Sequence, residues 1–210
     1  MSDEDNRICY KIVFIGGSNS GKTYLFKKSS SGTFNEKNIS TIGMDRKTLT
    51  FTINTEEGER EIEIQLYDTA GHERFISLTS LYYKSSQGLL FIYDITKKGT
   101  FENINKWIED IKSSLKDENN LLMILIGNTD LALVNPDCRE ITSEYAENFC
   151  KENNLFWGGE YCLKDITEEQ VKEMFKKFAL EIYKKVGIIK EEEHFSKNKH
   201  KSKKLKCIIY

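Results

Sequence analysis

Hydrophobic positions along this chain fall into two kinds of pattern, unbroken and alternating. Ile8–Ile15 is an apolar-rich run that stops at Gly16-Gly17, as a strand does when it enters a tight turn. A short helix over Gly21–Ser30 follows, and Ser31–Ile42 is polar and irregular. Lys47–Ile53 and Glu61–Tyr67 alternate, which puts Leu49, Phe51 and Ile53, then Ile62, Ile64 and Leu66, on one face. With Glu57-Gly58 between them, they predict an antiparallel hairpin with one wet face. Leu89–Tyr93 and Leu121–Ile126 are continuous apolar runs, expected of strands covered on both faces. Helical spacing marks Phe101–Leu115, through Ile104, Trp107, Ile108 and Ile111, and then Ser143–Glu152. A last helix over Thr167–Lys185 carries Val171, Met174, Phe175, Phe178 and Ile182 on one stripe and opens with a Thr167-x-x-Gln170 capping box. Strands alternating with helices argue for an α/β sheet, mainly parallel, with right-handed crossovers. No internal repeat is visible, and from Gly187 the pattern dissolves into charge, the signature of a disordered tail.

Composition narrows this further. The chain has 210 residues, 39% hydrophobic and 30% charged, with one proline. That suits one domain with a real core and a short excess. No apolar run approaches the roughly 20 residues needed to cross a bilayer. The acidic start, Met1-Ser2-Asp3-Glu4-Asp5, does not read as a signal peptide. Cysteines 9, 138, 150, 162 and 207 are scattered without a Cys-x-x-Cys pair, so a reduced intracellular protein is expected rather than a disulfide framework or zinc site. The net charge of −2 hides an asymmetry. Lysines 197, 199, 201, 203, 204 and 206 form a basic tail on an acidic body.

The strongest chemical signal is Gly16-Gly17-Ser18-Asn19-Ser20-Gly21-Lys22-Thr23, which matches Gly-x4-Gly-Lys-[Ser/Thr]. Glycines let the backbone curl until successive N–H groups face one anion, and the following helix adds its positive end. Lys22 would reach terminal phosphates and the Thr23 hydroxyl would bind Mg²⁺. The bland reading is a glycine-rich turn beside a lysine. Its place between a predicted strand and a predicted helix favours phosphate binding.

With Asp68-Thr69-Ala70-Gly71-His72-Glu73-Arg74-Phe75 added, the chain resembles a small GTPase of the Ras superfamily, and the Rab branch most closely. Arg74–Tyr83, Phe91–Thr96, Ser40–Asp45 and Phe101–Ile104 carry the Rab-like character, and the similarity spans about residues 8–186. The resemblance implies a three-layer P-loop GTPase fold: a six-stranded, mostly parallel sheet with one antiparallel hairpin strand and helices on both faces. It implies GTP/GDP and Mg²⁺ as ligands. Ser18, Asn19, Ser20, Gly21, Lys22, Thr23 and Tyr24 would line the phosphates, and Thr23, Thr41 and Asp68 would serve the metal. Thr41 would close on Mg²⁺ and the γ-phosphate, and the Gly71 amide would bond that phosphate. Loss of the phosphate would then release both segments, an order–disorder switch. Phe34 stands where the family packs an aromatic against guanine. Lys22, Thr41 and His72 would form the hydrolytic set.

Several positions depart from the family. His72 replaces the glutamine that orients the attacking water, so either intrinsic hydrolysis is slow, the favoured reading, or His72 orients the water itself. The Asn-Lys-x-Asp motif is degraded in Gly127-Asn128-Thr129-Asp130. Either one residue is deleted, or Gly127 replaces the asparagine and Asn128 the lysine; in both cases Asp130 is the expected base reader. Glu160-Tyr161-Cys162-Leu163-Lys164 stands for the Ser-Ala-Lys loop, with the Leu163 amide for the guanine oxygen, Lys164 over the base and Cys162 as a small buried residue. Two weakened base motifs predict looser nucleotide binding. On the effector surface, Arg46 replaces a phenylalanine and Tyr67 a tryptophan, while Tyr82 keeps the third aromatic.

Cys207-Ile208-Ile209-Tyr210 fits a CaaX-like box, so Cys207 is the candidate for prenylation, with the upstream lysines as second membrane signal. The organisation expected is an N-terminal extension (1–7), a GTPase domain (8–186) and a basic tail (187–210). Expected partners are an exchange factor, a GTPase-activating protein, effectors at the two switch segments and the prenylation machinery. A monomer on cytoplasmic membrane faces, with a cytosolic pool and without nucleic acid, completes the expectation. The rival from another class is a pseudo-GTPase interaction module, motivated by His72 and the degraded motif and opposed by Lys22, Thr23, Thr41 and Asp68. A phosphate-loop kinase would need an acceptor-binding lid, which the sequence does not offer.

Overall fold

The alternating and the unbroken strand patterns occupy different halves of one sheet. The computed structural model describes residues 8–29, 44–56, 58–69, 83, 85–114, 120–130 and 135–187. Its strands are β1 (Ile8–Ile15), β2 (Met44–Thr55), β3 (Gly58–Thr69), β4 (Gly88–Asp94), β5 (Leu122–Asn128) and β6 (Phe156–Tyr161). They form a six-stranded sheet in the order β2-β3-β1-β4-β5-β6. Only β2 and β3 pair antiparallel; the other pairs are parallel. The helices described are α1 (Lys22–Lys28), α2 (Lys98–Ser114), α3 (Ser143–Asn153) and α4 (Glu168–Val186).

Period-2 geometry sends neighbouring residues to opposite faces, and this builds the three layers. Ile12, Phe14, Leu90, Ile92, Ile124 and Ile126 join a core with Leu25 and Phe26 of α1 and Val171, Phe175, Phe178 and Ile182 of α4. Val13, Ile15, Leu89, Phe91, Met123 and Leu125 join the second core with Phe101, Ile104, Trp107, Ile108 and Ile111 of α2 and Ala146 and Cys150 of α3. Every residue of β4 and β5 is therefore buried, which is why those runs are unbroken. In the hairpin, Leu49 faces Ile64 and Phe51 faces Ile62 across the ladder, all buried, while Thr48, Thr50 and Thr52 are exposed.

The hairpin and β6 differ most from the sequence reading. The hairpin ladder runs on to Met44↔Thr69 and Thr55↔Gly58, because main-chain pairing continues where the side chains turn polar. Gly58, at φ 109°, is thus the first residue of β3 and not part of the turn. β6 has no apolar run to announce it, since Gly158 and Gly159 interrupt it. A Cβ on Gly158 would lie 2.6 Å from Ile126 Cγ2, so that glycine permits β6 to pack at the irregularity between Leu125 and Ile126. The capping box is present: Gln170 N–H donates to Thr167 Oγ1 (3.2 Å) and Thr167 N–H to Gln170 Oε1 (2.9 Å).

Candidate functional site

Parallel strands bring their C-terminal ends to one edge of the sheet, where α/β folds bind ligands. β1 delivers the glycine-rich loop there. Gly16 packs against β4 so closely that a Cβ would lie 2.4 Å from the Ile92 carbonyl oxygen. The turn at Ser18-Asn19 uses a left-handed Asn19 (φ 61°), and Gly21 (φ 105°) precedes the first turn of α1. Lys22 folds back over this loop and is buried, its Nζ donating to the Gly16 and Gly17 carbonyls at 2.7 Å each. Burial lowers its pKa, and the Asp68 carboxylate opposes that shift. Tyr24 is 52% exposed on α1.

Asp68 lies at the end of β3, beside Phe14 of β1. Thr23 Oγ1 donates to its Oδ2 at 3.0 Å. Its Oδ1 is buried without a hydrogen-bond partner among the described residues. Burial pushes the Asp68 pKa up, against the Thr23 hydrogen bond and the Lys22 charge. A buried carboxylate oxygen in this position fits a ligand, because an unsatisfied acceptor is costly unless something completes it. A hydroxyl and a carboxylate are the hard oxygen donors that Mg²⁺ prefers.

Two further loops meet the glycine-rich loop at this edge among the described residues. Asn128, the last residue of β5, is 4% exposed and joins all three loops. Its Nδ2 donates to the Ser20 carbonyl (3.2 Å) and to Asp130 Oδ2 (3.1 Å). Its Oδ1 accepts from Asp130 N–H (3.2 Å) and, at a longer 3.4 Å, from Leu163 N–H. Asp130 Oδ1 accepts from Lys164 N–H at 2.9 Å. Gly21 sits at the meeting point, where a Cβ would come within 2.7 Å of Leu163 Cδ1 and 2.8 Å of Asn128 Nδ2.

The structure thus brings together Ser18, Asn19, Ser20, Gly21, Lys22, Thr23, Asp68, Asn128, Asp130, Cys162, Leu163 and Lys164 around one edge. Cys162 is half-buried rather than a small buried residue, with Sγ 3.4 Å from Asp165 Oδ2. Burial and the carboxylates of Asp165 and Asp130 push its thiol pKa up. Phe34, Thr41, Gly71, His72, Tyr82 and Cys207 lie outside the described residues. One support escaped the sequence reading: Arg139 forms a two-pronged ion pair with Glu160 (2.9 and 2.7 Å), and Ser143 Oγ donates to Glu160 Oε1 (2.9 Å). This fixes the strand end that leads into 162–164. A pair 21 positions apart leaves no local signal in sequence.

A family model described as Ras family matches residues 11–184. The chain belongs to the Ras family. Its relatives place it with the Rab-type small GTPases. Ras-related protein Rab11B of Nicotiana tabacum is 32% identical over 186 residues, 88% of this chain and 80% of that protein. Ras-related protein Rab-12 of Homo sapiens is 36% identical over 182 residues, 85% of this chain and 68% of that protein. Ras-related protein YPTC6 of Chlamydomonas reinhardtii is 32% identical over 182 residues, 86% and 78% of the two chains. As a Rab-type GTPase the chain acts in vesicle traffic, and a pseudo-GTPase module is not favoured. Such GTPases bind guanine nucleotide with Mg²⁺, hydrolyse GTP and work with exchange factors, activating proteins and effectors. Among the described residues no helix is long and apolar enough to cross a membrane.

Proposed function

We propose that this chain is a GTP/GDP switch that recruits effectors on cytoplasmic membrane faces and hydrolyses GTP slowly. Residues 18–24 and Lys22 take the phosphates; Thr23, Asp68 and Thr41 take the metal. When bound, Mg²⁺ offsets the charge of the terminal phosphates. Asp130 reads the base, helped by the Leu163 amide, Lys164 and Phe34, and Asn128 holds the reading loop against the phosphate loop. We adopt the alignment with one residue deleted, because Asn128 braces Ser20 and Leu163 from the end of β5, whereas Gly127 has no side chain to do so. Cys162 contributes its place in the loop and not a reactive thiol.

The observation that carries the reading is a buried lysine above a curled glycine loop, next to a buried carboxylate oxygen without a hydrogen-bond partner among the described residues. The test is the nucleotide that purified protein releases on heating, identified by chromatography. GDP or GTP near one per chain supports the switch; an empty site supports an interaction module instead.

His72 holds the position at which the family orients water with glutamine, and phosphoryl transfer depends chiefly on positioning and charge stabilisation. Slow intrinsic hydrolysis follows, with a protein that stays long in its GTP form. The Gly71 amide and Thr41 tie the two switch segments to the γ-phosphate, and their release on hydrolysis is what partners read. The domain spans 8–186, preceded by a short extension. The tail joins a prenyl group on Cys207 to its lysines, since one lipid chain with a basic patch anchors where either alone is marginal. Replacing Cys207 by serine releases the protein from membranes on this account.

A further inference from the structure

The β2–β3 face next to the switch segments departs from an apolar docking patch in a specific way. Arg46 lies directly opposite Tyr67 across the ladder, and Tyr67 is paired on its other side with Val13 of β1. Two cations reach that one ring, each from a flanking strand. Lys11 Nζ is 4.5 Å from the Tyr67 centroid, and the Arg46 guanidinium carbon is 6.0 Å from it. Both distances fall within cation–π range. Tyr67 is further held by its hydroxyl, which donates to Gln65 Oε1 at 3.1 Å. Gln65 in turn donates to Glu63 Oε1 at 3.0 Å.

Acids nearby do not neutralise Arg46. Asp45, its neighbour, turns to the opposite face, where it acts on Lys47 and Asp68. Glu63 is engaged by Gln65 and, at 3.7 Å, by Cys9 Sγ. Arg46 is exposed, and no carboxylate lies within ion-pair distance of it among the described residues. Burial lowers the Lys11 pKa, and the Arg46 charge adds to that shift, so the two cations sense each other. A guanidinium near an aromatic ring keeps N–H donors around its edge, in the fork geometry that matches a carboxylate.

We propose that Arg46 and Tyr67, with Lys11 behind them, form the specificity element of the effector surface, and that it selects a protein segment presenting an Asp or Glu carboxylate. This rests on the switch reading, because the last ladder pair, Met44↔Thr69, is next in chain order to the segments that carry Thr41 and Gly71. A partner offering only an apolar side chain would bury the Arg46 charge without an acceptor, at a large desolvation cost. The surface therefore attracts one class of partner and rejects the apolar class.

The test is selection of a random peptide library on phage against the full chain loaded with a non-hydrolysable GTP analogue. Wild type, Arg46→Phe and Arg46→Glu are run in parallel, each also in its GDP form, with retained nucleotide checked by chromatography. Wild type should enrich one Asp or Glu anchor. Changing that anchor to Asn or Gln in the synthesised peptide should weaken binding about tenfold or more. Arg46→Phe should shift the consensus to apolar residues, and Arg46→Glu to Lys or Arg. An apolar consensus on wild type, no enrichment at all, or equal binding of the acidic peptide by Arg46→Glu would overturn the proposal. So would Arg46-dependent capture of phosphatidylserine vesicles without an acidic peptide, which assigns the cation to lipid. Acid enrichment that ignores the bound nucleotide would keep the charge assignment and remove the switch reading. Loss of enrichment with nucleotide retained would remove the assignment alone.

Discussion

Replacing Asn128 by alanine removes a side chain that bonds to the 16–21, 128–130 and 162–164 loops at once. Four hydrogen bonds disappear, two of them local, to Asp130, and two long-range, to the Ser20 carbonyl and the Leu163 amide. A net bond contributes about 0.5–1.5 kcal/mol, and a buried group left unsatisfied costs about 1–3 kcal/mol. Ser20 O and Leu163 N are the groups left behind, and the Leu163 bond is already long, so the total should be about 2–4 kcal/mol. That energy divides between folding and nucleotide retention, because the same bonds hold the phosphate loop against the base loop. Guanidinium chloride unfolding with excess GDP and Mg²⁺ measures the first share. Dissociation of a fluorescent GDP, chased by unlabelled GDP, measures the second, and a share of about 2.7 kcal/mol corresponds to a rate about 10²-fold faster. Asn105→Ala, on the exposed side of α2, is the control. If Asn128→Ala leaves the unfolding midpoint unchanged and the dissociation rate within a factor of two of wild type, Asn128 does not brace the two loops.

Other perturbations test separate parts. Gly16→Ala puts a Cβ 2.4 Å from the Ile92 carbonyl oxygen, so the loop must shift; retained nucleotide should fall severalfold, and the unfolding midpoint by an amount equivalent to about 1–3 kcal/mol. Asp94 is buried at the end of β4; burial alone would raise its carboxyl pKa, but bonds from Lys97 (2.7 Å) and Thr96 (3.0 and 2.6 Å) hold it below the usual value. A lowered folded pKa contributes stability that is full above the unfolded value near 3.9 and is lost as pH falls through the folded value. Asp94→Asn should therefore be less stable than wild type at pH 7, with the gap closing below about pH 4 in a series of unfolding curves. A gap that persists unchanged at pH 2.5 would show that the charge is irrelevant. Single-turnover GTP hydrolysis should accelerate in His72→Gln, and no acceleration counts against slow hydrolysis by the wild-type residue.

Contiguity decided what could be read from sequence. The buried runs of β4 and β5 and the alternation in β2 and β3 state their surroundings residue by residue, so the layers and the hairpin are legible. The phosphate loop is legible for the same reason, since a curled loop needs its glycines and lysine within a few positions. β6 is not, because Phe156-Trp157-Gly158-Gly159-Glu160-Tyr161 carries glycines that read as breakers, while Gly158 answers to a close approach by Ile126. Asn128 is ambiguous in one dimension, and its bonds to Ser20 and Leu163 come from the fold and leave no local signal. Arg139 and Arg46 act on residues brought near by folding, Arg139 on Glu160 from the loop before α3 and Arg46 on Tyr67 across a ladder. Sequence could flag Arg46 as a departure but not show that it shares a ring with Lys11.

The central claim is that Lys22, folded over the Gly16–Gly21 loop, holds guanine nucleotide. Lys22→Ala, purified beside wild type and kept folded by the criterion of its circular dichroism, gives the direct measurement: guanine nucleotide released per chain by heat. Wild type should release close to one GDP or GTP, and the variant a small fraction of that. Equal release from both would contradict the account.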